Sequence, residues 1–246
     1  MIVDCFSFFN ELDLLEIRLN SLAPYVDRFV LSECPVTHSG KPKPLYFSEN
    51  RDRYKDFNIT HLVVDNYERF LKSSPWILER YQRQYLMKGI SDVSGDDIIL
   101  VSDLDEIPNL DSYIIGEEGV FMQKLYYYYL NTFTGIEWKG SVARLRKDVG
   151  NMSRTRDWKN STPLRIQNGG WHFSTLGPPD NIKTKIESFA HQEFNKDGIK
   201  EGIENSVKNL VDPYGRTSTK YTVEMPSGPK WLLENKDRYS HLFYEG

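Results

Sequence analysis

The sequence predicts an α/β fold: a Rossmann-like, mostly parallel sheet flanked by helices, followed by a smaller antiparallel half. Three observations predict it. The chain opens on a strand–helix–strand pattern, the unit that builds parallel sheets. The run Ile98-Ile99-Leu100-Val101 has the short, β-branched composition of a strand buried on both faces. Beyond it the apolar runs become rich in Tyr and Phe and read as antiparallel strands.

The 246 residues, 39% hydrophobic and 13% aromatic, suffice for a sizeable core in one large domain or two small ones. No repeat, low-complexity tract or linker divides them, so residues 1–246 are read as one domain. The net charge of −4 leaves no basic surplus for nucleic-acid phosphates. No apolar run approaches the roughly 20 residues of a membrane span, and no signal peptide precedes the first strand. Cys5 and Cys34 do not make a disulfide framework and read as buried thiols. A cytoplasmic location is the expectation. Sequons at Asn58, Asn151 and Asn160 matter only in a secreted chain.

In order, residues 2–9 read as the first strand. A helix over about 11–22 follows, its apolar face formed by Leu12, Leu15, Ile17, Leu19 and Leu22. Phe29-Val30-Leu31 is the second strand. Glu33 at its carboxyl end stands where acids reach a ribose in dinucleotide folds, or is a solvated strand end. Residues 34–48 form a long loop in which His38, Lys41 and Lys43 are placed to approach an anionic ligand. Ile59 to Val64 is the third strand. Residues 74–90 form a strong helix with Pro75 in its first turn. On it Arg83 is either a surface partner of Glu79 one turn away or a cation beside a diphosphate.

The apolar run then ends in Asp103-Leu104-Asp105-Glu106-Ile107-Pro108. Acids at the carboxyl end of a buried strand lie where open α/β sheets bind ligands. At strand spacing Asp103 and Asp105 face one side and form a candidate site for a hard divalent cation. An acidic turn that merely caps the strand is the alternative. Residues 120–130 and 138–146 read as strands, and 147–162, polar and Arg-rich, as a mobile loop. Gly169-Gly170 before Trp171-His172-Phe173 suggests close backbone approach. His172 alone reads as a core histidine. Asp180 is an N-cap candidate for a helix to about Gln192; Lys183, Lys185 and His191 lie on it, with Glu193 just beyond. A short helix near 199–209 and a closing helix over 231–243 complete the chain.

These residues, in this order, resemble glycosyltransferase family 17. The matching pieces are Asn10-Glu11-Leu12-Asp13-Leu14-Leu15 with Arg18, then Asp27, Phe29-Val30 and Glu33. Thr37, Gly40 and Lys41-Pro42-Lys43-Pro44-Leu45 follow, then Gln82-Arg83, the acidic turn and Gly170-Trp171-His172-Phe173. The Golgi anchor and stem of animal members have no counterpart here, which suggests a bacterial or viral relative.

The resemblance implies a GT-A fold, with a nucleotide-sugar-binding half over about 1–110 and an acceptor-binding half over about 111–246. It implies transfer from a nucleotide sugar, UDP-GlcNAc by family default, to a glycan acceptor with inversion. It also implies Mn²⁺ (or Mg²⁺) held by Asp103, Asp105 and His172. Asn10, Glu11 and Glu33 would contact the nucleoside; Arg83, Lys183 or Lys185 would face the diphosphate or sugar. Inversion needs a general base. Glu193 is the first candidate and Asp180 the second, with Glu137, Asp148 and Glu106 behind them. Two other classes compete: a phosphatase with an acidic pair, whose turn usually lies nearer the start of the chain, and a non-catalytic sugar-binding module, favoured by the aromatic content.

Overall fold

The computed structural model describes residues 1–246 except Ser112, Ser218 and Pro226. In chain order the elements are β1 (Ile2–Phe8), α1 (Leu12–Leu22), β2 (Arg28–Glu33), α2 (Tyr46–Glu49), β3 (Ile59–Val63), α3 (Pro75–Tyr85), β4 (Ile98–Asp103) and β5 (Glu106–Pro108). Then come β6 (Gly119–Tyr128), β7 (Thr132–Leu145), α4 (Met152–Asp157), β8 (Arg165–Ile166), β9 (Gly170–Leu176), α5 (Pro179–Ser188), α6 (Asp197–Asn209), β10 (Thr222–Val223) and α7 (Lys230–Glu234).

The strands lie in one sheet in the order β3-β2-β1-β4-β7-β6-β9-β5, with β10 on β7 and β8 on β6. The first part, β3-β2-β1-β4, is parallel, as the opening pattern predicts. β7 joins β4 antiparallel and β6 joins β7 antiparallel, so the expected change of character falls there. The period-2 alternation of β1 and β4 explains the layers. Ile2, Phe6, Ile98 and Leu100 pack on one side with α1 and α7. Val3, Cys5, Ile99 and Val101 face the other side, against the segment after α3 and Met152 of α4. Both cysteines are buried and free. Among the described residues no helix is long and apolar enough to cross a membrane.

Two residues separate β4 from β5, yet the two strands stand far apart in the sheet order. A chain of that length spans only about 10 Å. The sheet therefore curls, so that β7, β6 and β9 pass round and β9 pairs antiparallel with β5, placing His172 opposite Glu106. The two glycines before Trp171 permit this closure. A Cβ on Gly170, whose φ is +113°, would stand 2.2 Å from the Ile107 carbonyl oxygen; one on Gly169 would stand 2.5 Å from the Met122 nitrogen.

Several elements differ from the sequence expectation. Residues 147–162 are not a structureless loop: they hold α4, whose first turn is capped by the Asn151 side chain accepting from the Arg154 N–H at 2.9 Å. The helix expected over 74–90 is α-helical only to Tyr85 and tightens to a 3₁₀ turn over Leu86–Ile90. The closing helix is a short α7 followed by a 3₁₀ segment, Lys236–Leu242. Pro178, not Asp180, is the N-cap of α5, and the helix ends at Ser188.

α1 presents one charged residue to the sheet. Arg18 is fully buried and forms a bidentate pair with Asp4 of β1, also fully buried, at 2.7 and 2.8 Å. Removing one partner of such a pair strands the other charge in the interior. Arg18→Met should therefore lower the unfolding free energy by about 3–5 kcal/mol in urea titrations. Asp4→Asn in the same chain should recover part of that loss. A single-variant loss under about 1 kcal/mol would show that the pair is not desolvated as described.

Candidate active site

The acidic turn lies at the carboxyl end of β4, beside the end of β1, where Ser7 is in register with Asp103. Its backbone is held from below by the same Arg18. The Nη1 of that guanidinium donates to the carbonyl oxygens of Asp103, Leu104 and Glu106 at 3.2, 3.1 and 2.7 Å. Ser141 of β7 adds a hydroxyl donor to the Glu106 carbonyl at 3.0 Å. The Asp103, Leu104 and Glu106 carbonyls thus turn toward Arg18, and the carboxylates of the turn meet cations from other elements.

Strand geometry stops at Asp103, so the expected alternation does not carry through to Asp105. The two carboxylates have separate partners. Asp103 receives Arg83 of α3 at 2.8 Å and Arg156 of α4 at 3.1 Å. Asp105 receives Lys185 of α5 at 2.9 Å and faces His172 Nε2 at 3.4 Å. Glu106, fully buried, pairs with Arg156 and accepts the Trp138 indole N–H at 2.7 Å. Lys159 Nζ stands 4.0 Å from it. Burial pushes the Asp103 carboxyl up, but the charges of Arg156 and Arg83 outweigh it and hold it well below the usual carboxylate range. The same opposition acts on Asp105, where Lys185 and His172 win. Lys185 bridges onward to Glu11 at 3.3 Å, and its ammonium is held above the ordinary lysine range by Asp105 and Glu11 despite burial.

Of the residues singled out in the sequence, the structure brings together Glu11, Arg83, Asp103, Asp105, His172 and Lys185. Asn10 lies in the bend beside Glu11. Arg83 makes the expected pair with Glu79 at 2.6 Å, but it is buried and not a surface residue, and it also pairs with Asp103, a contact the sequence did not suggest. Glu33 is not a strand-end acid open to a ribose. It is fully buried and accepts the Phe47 N–H at 3.1 Å, with Lys43 at 3.4 Å and His61 at 3.2 Å. Lys43 is thereby spent on Glu33, and Lys41 pairs with Glu187 on the surface. Lys183 bonds Glu204 and Asp180 on the outer face of α5. The Asp180 side chain is 91% exposed. Glu193, 54% exposed, accepts from His191 at 2.6 Å. Neither acid touches the acidic turn. Arg156 and Lys159 were missed because they lie in a stretch without period; the one signal was Asn151, a good N-cap three residues before Arg154.

A divalent cation suits part of this set. Asp105 Oδ1 and His172 Nε2 stand 3.4 Å apart, close to the separation of about 3 Å expected of two ligands each about 2.1 Å from one small ion. His172 Nδ1 is buried without a partner. Among the described residues no third His, Cys, Asp or Glu completes a cluster around them. Asp103, though 42% exposed, is engaged by its arginines. Such a pair suits a cation that takes its remaining ligands from substrate phosphates and water.

The depressed carboxyls link stability to pH. With pKa values lower when folded than when unfolded, Asp103 and Asp105 stabilise the fold above their unfolded value of about 3.9. That contribution is lost as pH falls through the folded values. The melting temperature should drop between about pH 5 and pH 2, and Asp105→Asn should flatten that slope. An unchanged slope in thermal melts would mean that Lys185 does not hold Asp105 in solution.

The family model for glycosyltransferase family 17 matches residues 1–201. Three curated relatives, from Homo sapiens, Rattus norvegicus and Mus musculus, carry the name beta-1,4-mannosyl-glycoprotein 4-beta-N-acetylglucosaminyltransferase. Each is 25% identical to this chain over 299 residues, covering 98% of it and 54% of the relative. The chain spans about half the length of the curated relatives it matches. With most of its length under the family model, and the acidic turn and the Gly-Trp-His-Phe strand paired in the fold, the chain belongs to glycosyltransferase family 17.

Proposed function

We propose that the protein transfers N-acetylglucosamine from UDP-GlcNAc to a glycan acceptor with inversion, using a divalent cation at Asp105 and His172. The observation that carries this reading is the convergence of Arg83, Arg156, Lys159 and Lys185 on the acidic turn at the carboxyl ends of the parallel strands. A nucleoside diphosphate leaving the sugar gains negative charge, and fixed cations in a water-poor site stabilise that charge without reorganising. A bound Mn²⁺ or Mg²⁺ would neutralise phosphate oxygens as a Lewis acid.

The chain's own residues divide the work. Asp103 orients Arg83 and Arg156 in a buried, preformed arrangement. Lys185 reaches in from α5, its ammonium held between Asp105 and Glu11. Trp138, its indole N–H fixed on Glu106 and its ring 5.2 Å from that of His172, offers an aromatic face of the kind sugar C–H groups pack against. The competing readings fit less well. A phosphatase nucleophile must be free to attack, and Asp103 is held by two guanidinium groups. A sugar-binding module has no use for buried cations around an acidic turn.

The test is release of UDP from UDP-GlcNAc with Mn²⁺ present, alone and with glycan acceptors, against a panel of other nucleotide sugars. UDP-GlcNAc should be the preferred donor; turnover of none would overturn the reading. His172→Ala should raise the Mn²⁺ concentration needed for half-maximal activity and recover at excess metal, because mass action restores a weakened site. Unchanged metal dependence in that variant would remove His172 from the cation.

A further inference from the structure

One imidazole near the site is used by nothing described so far. His38 lies in the loop after β2, and its Nε2 is 3.1 Å from Gln82 Oε1. Gln82, buried on α3, has no freedom in how its amide is turned. Its Nε2 donates to the carbonyl oxygens of Phe8 and Ser32, at the ends of β1 and β2, at 3.3 and 2.9 Å. The amide oxygen must therefore face His38, and an amide oxygen only accepts. His38 is forced to carry its proton on Nε2. Its Nδ1 is left as a lone pair that no described residue uses.

We propose that His38 is a donor-substrate binding residue: an uncharged hydrogen-bond acceptor, fixed in tautomer by Gln82, for a hydroxyl or ring N–H of the nucleotide sugar. The proposal rests on the nucleotide-sugar reading of this site. The position supports it, since the Phe8 and Ser32 carbonyls mark the carboxyl ends of parallel strands next to the β1/β4 switch in strand order, where such sheets take nucleotides. The charges facing the ring are Glu79 and Arg83 of α3 and Asp103 of β4. Burial lowers the imidazole's pKa from its ordinary value, so the ring is neutral at pH 7. A neutral ring with a bare nitrogen repels phosphate oxygens, which are also acceptors. It selects O–H and N–H donors, and those belong to the nucleoside or the sugar.

Two measurements on the full chain test this. Imidazole ¹⁵N NMR of the free protein should show His38 Nδ1 with the shift of an unprotonated nitrogen; a protonated Nδ1 overturns the proposal without reference to activity. Calorimetry with Mn²⁺ should show His38→Ala binding UDP-GlcNAc about three- to tenfold more weakly than wild type, the worth of one neutral hydrogen bond. That gap should close as pH falls and wild-type His38 protonates. A loss also seen with UDP alone places the contact on the nucleoside; a loss seen only with UDP-GlcNAc places it on the sugar. Equal affinities of His38→Ala and wild type for UDP-GlcNAc would reject His38 and leave the nucleotide-sugar reading intact. Failure of wild type to bind either probe would reject both.

Discussion

The constraint on which the structure depends is a buried arginine. Arg18 is the point where α1, β1 and the acidic turn meet. One edge of its guanidinium is neutralised by Asp4, and Nη1 is shared among the Asp103, Leu104 and Glu106 carbonyls of the turn. A sharp turn between two strands leaves carbonyls without ladder partners, and such groups cannot stay buried unpaired. A planar, always-charged fork satisfies several at once, which the single point charge of a lysine would not. The turn's shape is thereby tied to the first βα unit, and the direction of its carboxylates follows.

The second constraint is topological. β5 begins two residues after β4 but pairs with β9. This short tether forces the antiparallel strands to wrap round, and the wrap brings His172, Trp138 and, through the helix that follows β9, Lys185 to a turn made by the parallel half. The site is thus built from both halves, and neither half holds it alone. The glycines before Trp171 are the local condition for the wrap, since side chains there would collide with β5 and β6 backbone.

Much of this was legible because it is written in local pattern. The parallel strands are continuous apolar runs, α1 repeats its leucines at helical spacing, and the acids stand at a strand end. What was not legible depends on burial and on long-range pairing. Glu33 looks like a free strand-end acid, but the loop after it folds back and covers it with Lys43 and His61. Asp103 and Asp105 look like two ligands on one side, but the strand ends between them and their partners come from α3, α4, α5 and β9. Arg156 lies in a stretch with no period because α4 is too short to show one. Asp180 has an N-cap's chemistry, yet Pro178 takes the position and places Asp180 inside the first turn.

Burial also separates the charged residues that matter to the site from those that resemble them in sequence. Glu193 with His191, and Asp180 with Lys183, are solvent-exposed pairs whose strength water and salt reduce to about 0–1 kcal/mol. Asp105 and Glu106 sit where an unpaired charge would cost several kcal/mol, and the half-exposed Asp103 faces two buried guanidinium groups. Each therefore has to be matched by a basic residue of the fold. That matching fixes the positions of Arg83, Arg156 and Lys185 before any ligand arrives. In a low-dielectric cleft a charge already in place acts more strongly on an incoming diphosphate than one that must be recruited from water. On the proposed reading the acidic turn has a role besides any metal: its carboxylates hold a set of cations in the interior, and an incoming diphosphate would meet that set already in place.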